Sequence, residues 1–234
     1  MDAFKFNVKF RGVPLIKFQN AERIASLQKG NLYAKTLAFY RNLELTTGDS
    51  QTGDAYEGLL TIYDGEIELM DAGIKLPLKN QKILTKASNY PVFCMCCFKG
   101  QDKISFSEIQ KEKFLNFGDT ALIITDSKEL EKRVILAAEK KGYKAILGKV
   151  NYYSNDYNET GVIEALGKDI NNVAFFKRNN YAYQQEARFL FVSDQNTVDH
   201  IELDIGDISD ISITLPTKQL LNLVGEKVRV VKEE

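Results

Sequence analysis

The stretch VFCMCCF, residues 92–98, is an unbroken apolar run with the length of one β-strand. Such a run, without alternation, is typical of a strand that is buried on both faces. It contains all three cysteines of the chain, Cys94, Cys96 and Cys97. An odd number of clustered cysteines does not form a disulfide framework, and a zinc site needs roughly four ligands. We therefore predict a buried strand with inert thiols.

Two helices on either side of this strand are marked by their ends. Asn20 can cap a helix over residues 21–29, which Gly30 stops. Asp126 or Ser127 can cap a second helix that runs to about residue 141. The other predicted helical segments lie at 106–115, 172–178 and 217–223.

Strand signals outnumber helix signals. The dipeptide DG at 64–65 joins the strands 59–63 and 66–69 into a predicted hairpin. Residues 32–41 could form a strand or a helix, and we favour a strand at 32–35 with an irregular turn after it. Because strands and helices do not alternate regularly, the pattern predicts an α+β fold: a single domain over residues 1–234, with a mainly antiparallel sheet and a few packed helices. The remaining predicted strands lie at 6–10, 14–18, 121–125, 144–153, 187–192, 200–205, 210–215 and 227–232.

The composition excludes several classes of protein. Lys and Arg total 31 against 32 for Asp and Glu, so there is no basic surplus of the kind that marks a nucleic-acid binder. No apolar run approaches the ~20 residues that span a bilayer, and the first ten residues lack the apolar region of a signal peptide. We predict a cytoplasmic protein without a membrane partner. With His200 as the single histidine, Ser–His–Asp and Cys–His chemistry have no recognisable site.

The segment QQEAR, residues 184–188, is the strongest candidate site. In a strand over 184–192, the period of two places Gln184, Glu186 and Arg188 on one face. Arg188 would favour the ionised form of Glu186, and a positioned carboxylate can accept a proton or stabilise a developing cation. The alternative is a cross-strand ion pair on a solvent-exposed face.

A glycine-bearing loop at 46–58 carries the acids Asp49, Asp54 and Glu57. Acids in this position can bind a divalent metal, orient a base, or only stabilise turns. The planar guanidinium of Arg41, just before the loop, suits bidentate binding of a phosphate or carboxylate.

Aromatic residues cluster before Glu186, with Tyr181 and Tyr183 nearest to it. Together with Lys177 and Arg178 they could stack a base and hold phosphates. The alternative is that these rings belong to the core.

Four short motifs resemble a broad family of uncharacterised bacterial and phage proteins, a domain of unknown function. They are GNLY (30–33), DAYE (54–57), VFCMCCF (92–98) and EAR (186–188), in the order of the family. Tyr33, Asp54, Glu57 and Arg188, which lie in these motifs, are candidate ligand-binding residues. The family itself implies no established activity.

The tripeptide QQE (184–186) is also similar to the Q-x-E motif of ADP-ribosyltransferases. That resemblance implies NAD as the ligand, Glu186 as the catalytic glutamate and Gln184 as the residue that orients the substrate. Tyr181 or Tyr183 would be the aromatic residue of the preceding turn. Lys17, Lys35 or Arg41 would bind the phosphate and ribose of NAD.

Three hypotheses follow from these observations. The first is a nucleotide-directed protein, for example an NAD-using enzyme of the ADP-ribosyltransferase type, with Glu186 as its key carboxylate. The second is a module that binds a nucleotide or a protein in phage or bacterial defence without turnover. The third, a metal-dependent nuclease, would use Asp49, Asp54, Glu57 and Glu186, although their spacing indicates no particular metal.

Overall fold

The computed structural model describes residues 11–69, 72–97, 106–154, 165–194 and 198–222. The predicted strands at 6–10 and 227–232 lie outside these residues. Within them the chain has the predicted α+β class, with a mainly antiparallel sheet and helices packed on it.

Strands and helices are numbered in chain order. The strands are β1 (Leu15–Gln19), β2 (Asn31–Thr36), β3 (Leu59–Leu69), β4 (Ile74–Leu84), β5 (Pro91–Cys97), β6 (Thr120–Ile124), β7 (Lys144–Lys149), β8 (Asn151–Tyr153), β9 (Phe176–Arg178), β10 (Glu186–Val192), β11 (His200–Asp204) and β12 (Ser212–Pro216). The α-helices are α1 (Ala21–Gln28), α2 (Leu37–Thr47), α3 (Glu108–Leu115), α4 (Ser127–Lys140) and α5 (Thr217–Asn222).

The apolar run predicted to be a buried strand is β5, the middle strand of the largest sheet. On one edge β5 pairs with β10 from Val92 to Cys96, and β7 pairs with β10 beyond it. The other edge of β5 is shared by two strands, because β2 pairs at Val92 and β1 pairs at Cys96. β11 extends the sheet beyond β2, and β6 and β12 extend it beyond β1.

This shared edge splits the sheet. The chain pairs with β5 through Ile16, leaves it to form α1, and pairs with it again at Lys35. Residues 93–95 of β5 lie between these two pairing points. A gap therefore opens between β1 and β2, and it lies directly beside the middle of β5.

The two faces of the sheet are covered differently. On one face Phe93, Met95 and Phe189 pack with side chains from α1 and α4 into one apolar core. On the opposite face the apolar side chains form two separate clusters, one around Cys96 and one around Leu190. The side chains of Glu186 and Arg188 lie on this second face, because Ala187 and Phe189 are in the core on the first.

The predicted ends of two helices are confirmed. Asn20 Oδ1 accepts a hydrogen bond from Arg23 N at 2.9 Å, and Asp126 Oδ1 accepts one from Glu129 N at 2.9 Å. Gly30, which follows α1, has a φ of +102°. A Cβ at this position would lie 2.6 Å from the Gly206 carbonyl oxygen, so both the backbone conformation and the close approach require glycine.

The prediction of an irregular turn after residue 35 was wrong, because the chain enters α2 there. Thr36, the last residue of β2, is also the N-cap, since its Oγ1 accepts a hydrogen bond from Phe39 N at 3.2 Å. Gly48, with a φ of 72°, ends the helix. Strand and helix are joined without an intervening turn residue, and Thr36, as an N-cap residue, is the local signal of this boundary.

The predicted hairpin turn at 64–65 was also wrong. Asp64 pairs with Lys79 and Gly65 pairs with Leu78, so the two strands continue as far as Leu69 and Ile74. The long register of the two strands overrides the local preference of DG for a turn.

The predicted strand at 144–153 is two strands. β7 pairs with β10, whereas β8 pairs in parallel with β9. The chain changes partner at Val150, whose N–H donates to the Glu186 carbonyl oxygen at 2.9 Å. The predicted helical turn at 172–178 is a 3₁₀ helix over Ile170–Phe175 that is followed by β9.

Candidate functional site

A cavity of about 560 Å³ occupies the gap between β1 and β2. Its walls come from β1, β2, β5, α1 and α2, and Phe114 and Phe117 close one side. The polar groups come from β9, from β10 and from the segment before β10: Lys177, Gln184, Glu186 and Arg188 all line the cavity. The split in the sheet thus produces a pocket with a polar end.

Glu186 is held by two cations. Its Oε1 accepts a hydrogen bond from Lys177 Nζ at 2.9 Å, and its Oε2 accepts one from Arg188 Nε at 3.2 Å. Its backbone N–H donates to the Tyr152 hydroxyl oxygen at 2.8 Å. The side chain is 11% exposed, which excludes the solvent-exposed ion pair that the sequence left open.

Arg188 joins Glu186 to the loop before β3. Its Nη1 donates to Glu57 Oε1 at 2.6 Å and to the Ala174 carbonyl oxygen at 2.7 Å. The Arg188 side chain is 1% exposed and that of Glu57 is 3% exposed. Because a buried charge is costly without a partner, these contacts stabilise Arg188 in its buried position.

Gln184 also lies beside Lys177 and Glu186, but its backbone position differs from the predicted one. It is not in β10, since it ends a 3₁₀ helix over Asn179–Gln184. Gln185, with a φ of 45°, turns the backbone through the left-handed region before the strand begins. As a result Gln184 Oε1 accepts a hydrogen bond from Lys177 Nζ at 2.8 Å. A non-glycine residue in this conformation is uncommon and was not predictable from strand periodicity.

The cluster of Lys177, Arg188, Glu57 and Glu186, which we call the charge cluster, contains two cations and two carboxylates. Burial alone would raise the pKa of Glu186, but the charges and hydrogen bonds of Lys177 and Arg188 outweigh it and lower that pKa. For Glu57 burial is the stronger effect, and its pKa is raised despite Arg188 and Lys177. Glu186 is thus ionised at neutral pH, and it lines the cavity.

Lys17 lies in the split itself. Its Nζ donates to the Cys94 carbonyl oxygen at 2.7 Å and lies 4.8 Å from the centroid of the Phe93 ring. The ammonium thus binds a carbonyl of β5 at the point where β1 has left that strand. Burial lowers the pKa of Lys17, although Cys94 and Glu186 act in the opposite direction. Among the described residues the Cys94 carbonyl oxygen is the one hydrogen-bond acceptor of Lys17, which leaves two N–H donors for a ligand.

Cys94, on the floor of the cavity, is only partly exposed, whereas Cys96 and Cys97 are buried. Burial raises the pKa of the Cys94 thiol to about 11, with a further contribution from Glu186. The thiol is therefore protonated at neutral pH, which agrees with the inert thiols that the sequence indicates.

The opposite end of the cavity is open and carries aromatic and basic groups. Tyr33 and Lys35 project from β2, Phe39 from α2 and Arg23 from α1, and all four line the cavity. Tyr33 is 45% exposed and Phe39 is 41% exposed. Arg23 and Phe39 were not predicted, because only the split in the sheet brings α1 and α2 to the same pocket.

Asp54 and Tyr181, two other predicted residues, belong to a second group of ion pairs and hydrogen bonds next to the cavity. Asp54 Oδ1 accepts hydrogen bonds from Arg178 Nη2 at 2.6 Å and from Arg178 Nε at 2.9 Å. Arg178 Nη2 also donates to Glu44 Oε2 at 3.2 Å and to the Tyr181 hydroxyl at 3.3 Å. None of these residues is among those that line the cavity. Their contacts hold the 46–58 loop against β9.

Arg41 and Tyr183 have contacts within the protein. Arg41 Nη1 donates to the Glu57 carbonyl oxygen at 3.0 Å and to Ser88 Oγ at 3.2 Å. The Tyr183 hydroxyl accepts a hydrogen bond from Gln184 Nε2 at 3.3 Å. Of the predicted site residues, Glu186, Gln184, Arg188, Glu57, Lys17 and Tyr33 line the cavity, whereas Arg41, Asp54, Tyr181 and Tyr183 lie outside its lining.

The acids invoked for a metal-dependent nuclease are engaged by other groups. Asp54 binds Arg178, Glu57 binds Arg188, and Asp49 Oδ1 accepts backbone hydrogen bonds from Gln51 and Thr52. Within the part of the chain that the structure describes, no group of three or more His, Cys, Asp or Glu is placed to hold a metal ion.

Comparison of the chain with protein-family models, with curated proteins and with solved structures finds no match. A search of the described helices finds none that is long and apolar enough to cross a membrane. The geometry of the cavity is therefore the basis for the functional proposal.

Proposed function

We propose that this protein binds a nucleotide in the cavity between β1 and β2, with NAD as the leading candidate. The observation that carries the proposal is the composition of this one cavity. It combines exposed aromatic rings, the basic side chains of Lys17, Arg23 and Lys35, and the ionised carboxylate of Glu186.

Each part of this lining suits one part of a nucleotide. Aromatic side chains stack on bases, and lysine and arginine bind phosphate oxygens. The carboxylate of Glu186 can accept hydrogen bonds from ribose hydroxyls. Gln184 instead positions Lys177, because its amide N–H groups donate to the Gln51 carbonyl oxygen and the Tyr183 hydroxyl. A volume of about 560 Å³ lies within the range of small-molecule pockets.

Cleavage of the bond between nicotinamide and ribose is a second candidate function, and the ionised state of Glu186 favours it. When this bond breaks, its electron pair leaves with nicotinamide and the ribose carbon becomes cationic until water or another nucleophile attacks. A buried carboxylate that is ionised at neutral pH can stabilise that cation. Oε1 of Glu186 accepts a hydrogen bond from Lys177 and keeps a further lone pair for the ligand.

The other two hypotheses differ in what they would need. A module that binds a nucleotide without turnover would use the same cavity, and it is distinguished only by the absence of product. We do not propose the nuclease, because Asp54 and Glu57 are neutralised by Arg178 and Arg188.

Thermal unfolding with and without nucleotides tests the proposal. A ligand that binds only the folded protein adds about 2.7 kcal/mol at 100 times its Kd. For a chain of this size we expect an increase in Tm of about 5–10 °C with NAD or ADP-ribose. Adenosine, which has no phosphate, serves as the control and should give a smaller increase. No change in Tm with NAD, ADP-ribose or ADP would contradict the proposal.

Lys17 predicts how binding depends on pH. Because its pKa is lowered, it loses its proton below the ordinary lysine value of about 10.4. We expect the affinity for ADP to begin to decrease at a pH below this ordinary value, where the phosphates stay ionised. Calorimetric titration at a series of pH values measures this.

The matched control is Lys17→Arg, since a guanidinium remains charged at these pH values. Its affinity for ADP should stay constant where that of the wild type decreases. A parallel decrease in both proteins would show that Lys17 is not the group that titrates.

A further inference from the structure

The open end of the cavity holds a cation between two aromatic rings. Lys35 Nζ lies 5.4 Å from the centroid of the Tyr33 ring and 4.9 Å from that of Phe39. Tyr33 also packs against the His200 ring, with centroids 4.9 Å apart. Despite these contacts Tyr33 remains 45% exposed and Phe39 remains 41% exposed. Exposed rings at the edge of a cavity are available surface for a planar ligand.

A base can replace Lys35 between these rings. An exposed contact between an ammonium and an aromatic ring is weak, whereas the stacking of a base on an aromatic side chain is stronger. Entry of a base would displace the Lys35 ammonium from the rings. The flexible lysine stem could then carry that ammonium to the phosphate that follows the base.

The register of the sheet gives the distance from this slot to Glu186. Lys35 pairs with Val92 and Glu186 pairs with Cys96, so β2 and β10 lie on opposite sides of β5. Leu32 and Ala34 are in the core on the other face, which places Tyr33 on the same face as Glu186. Two strand spacings across and about two residues along would separate the Cα atoms of Tyr33 and Glu186 by roughly 12 Å. Because β2 pairs with β5 only at Lys35 and Thr36, this distance is a lower bound.

A separation of this size is larger than that between the base and sugar of one nucleotide, which are directly bonded. It suits a ligand in which a pyrophosphate links two nucleosides. We propose that Tyr33, Lys35 and Phe39 form a base-stacking slot for the adenine of such a dinucleotide, with the second ribose at Glu186. This assignment rests on the proposed nucleotide site and adds the class and orientation of its ligand.

The test compares three ligands on two variants of Tyr33 by calorimetric titration. The ligands are NAD, ADP and nicotinamide mononucleotide, which lacks the adenine. With Tyr33→Leu, which removes the ring but stays apolar, the Kd for NAD and for ADP should rise about tenfold. The Kd for nicotinamide mononucleotide should remain within about twofold. Tyr33→Phe, which keeps the ring, should bind all three ligands like the wild type.

Leu45→Ala provides a matched control, because Leu45 is 65% exposed on α2 and is not among the residues that line the cavity. Its affinities should equal those of the wild type. If the wild type binds NAD, and Tyr33→Leu binds both NAD and ADP with the affinities of the wild type, the base-stacking slot is wrong and the nucleotide site stands. The slot would also be contradicted if Tyr33→Leu weakened the binding of nicotinamide mononucleotide as much as the binding of NAD. If the wild type binds none of the three ligands, the proposed function fails and the slot fails with it.

Discussion

Arg188→Met should lower the free energy of unfolding by about 3–5 kcal/mol, the range for removal of one partner from a buried ion pair. Methionine fills a similar volume, but it leaves Glu57 and Glu186 buried with a single cation, Lys177, between them. It also leaves the Ala174 carbonyl oxygen without the hydrogen bond from Arg188. Chemical denaturation followed by circular dichroism measures the loss.

Arg133→Met is the matched control for this prediction. Arg133 forms a bidentate pair with Asp210, at 3.0 and 2.6 Å, but the Asp210 side chain is 57% exposed. Exposed ion pairs contribute about 0–1 kcal/mol, and we expect a loss near the top of this range because Arg133 also binds Glu129 and the Asp207 carbonyl oxygen. A loss for Arg188→Met that is no greater than that for Arg133→Met would show that the charge cluster does not hold the site together.

Glu186→Gln should reduce any release of nicotinamide from NAD by about 100-fold or more. The amide has nearly the shape of the carboxylate but cannot stabilise a cationic ribose by its charge. Binding of NAD should change far less, because the aromatic and basic parts of the cavity are intact. Chromatographic detection of nicotinamide, with calorimetric titration of the same protein, measures the two effects separately.

Glu57→Gln controls for the loss of one negative charge from the charge cluster. It makes the same chemical change beside the same Arg188 and Lys177, on the carboxylate whose pKa is raised. We expect it to retain most of the turnover. If both variants lose turnover equally, Glu186 acts only through the stability of the charge cluster. If the wild type releases no nicotinamide but binds NAD, the protein is a binding module.

The features that could be predicted from the sequence depend on local pattern. β5 and the apolar part of β10 are continuous runs of strand length, and α1 and α4 begin at capping residues. The side-chain positions of Glu186 and Arg188 follow from the period of two, and the structure places both beside Cys94 and Cys96 on one face. These properties need no information about distant parts of the chain.

The features that could not be predicted depend on contacts between distant residues. Glu57 and Arg188 are 131 positions apart in the chain, and no local rule connects them. The cavity exists because β1 and β2 share one edge of β5, which only the pairing register reveals. The partnership of Gln184 with Lys177 depends on the left-handed backbone at Gln185, whereas strand periodicity assumed an extended one.

The most direct test of the nucleotide site is a titration of NAD into a protein whose cavity has been filled. Ser26 lies on α1 and lines the cavity, whereas its neighbour Ala25 is exposed and is not among the lining residues. We predict that the wild type and Ala25→Trp bind one NAD per chain, and that Ser26→Trp, shown by circular dichroism to be folded, does not. The nucleotide site would be contradicted by NAD binding to Ser26→Trp with the affinity of the wild type, or by no binding to the wild type at about 1 mM NAD.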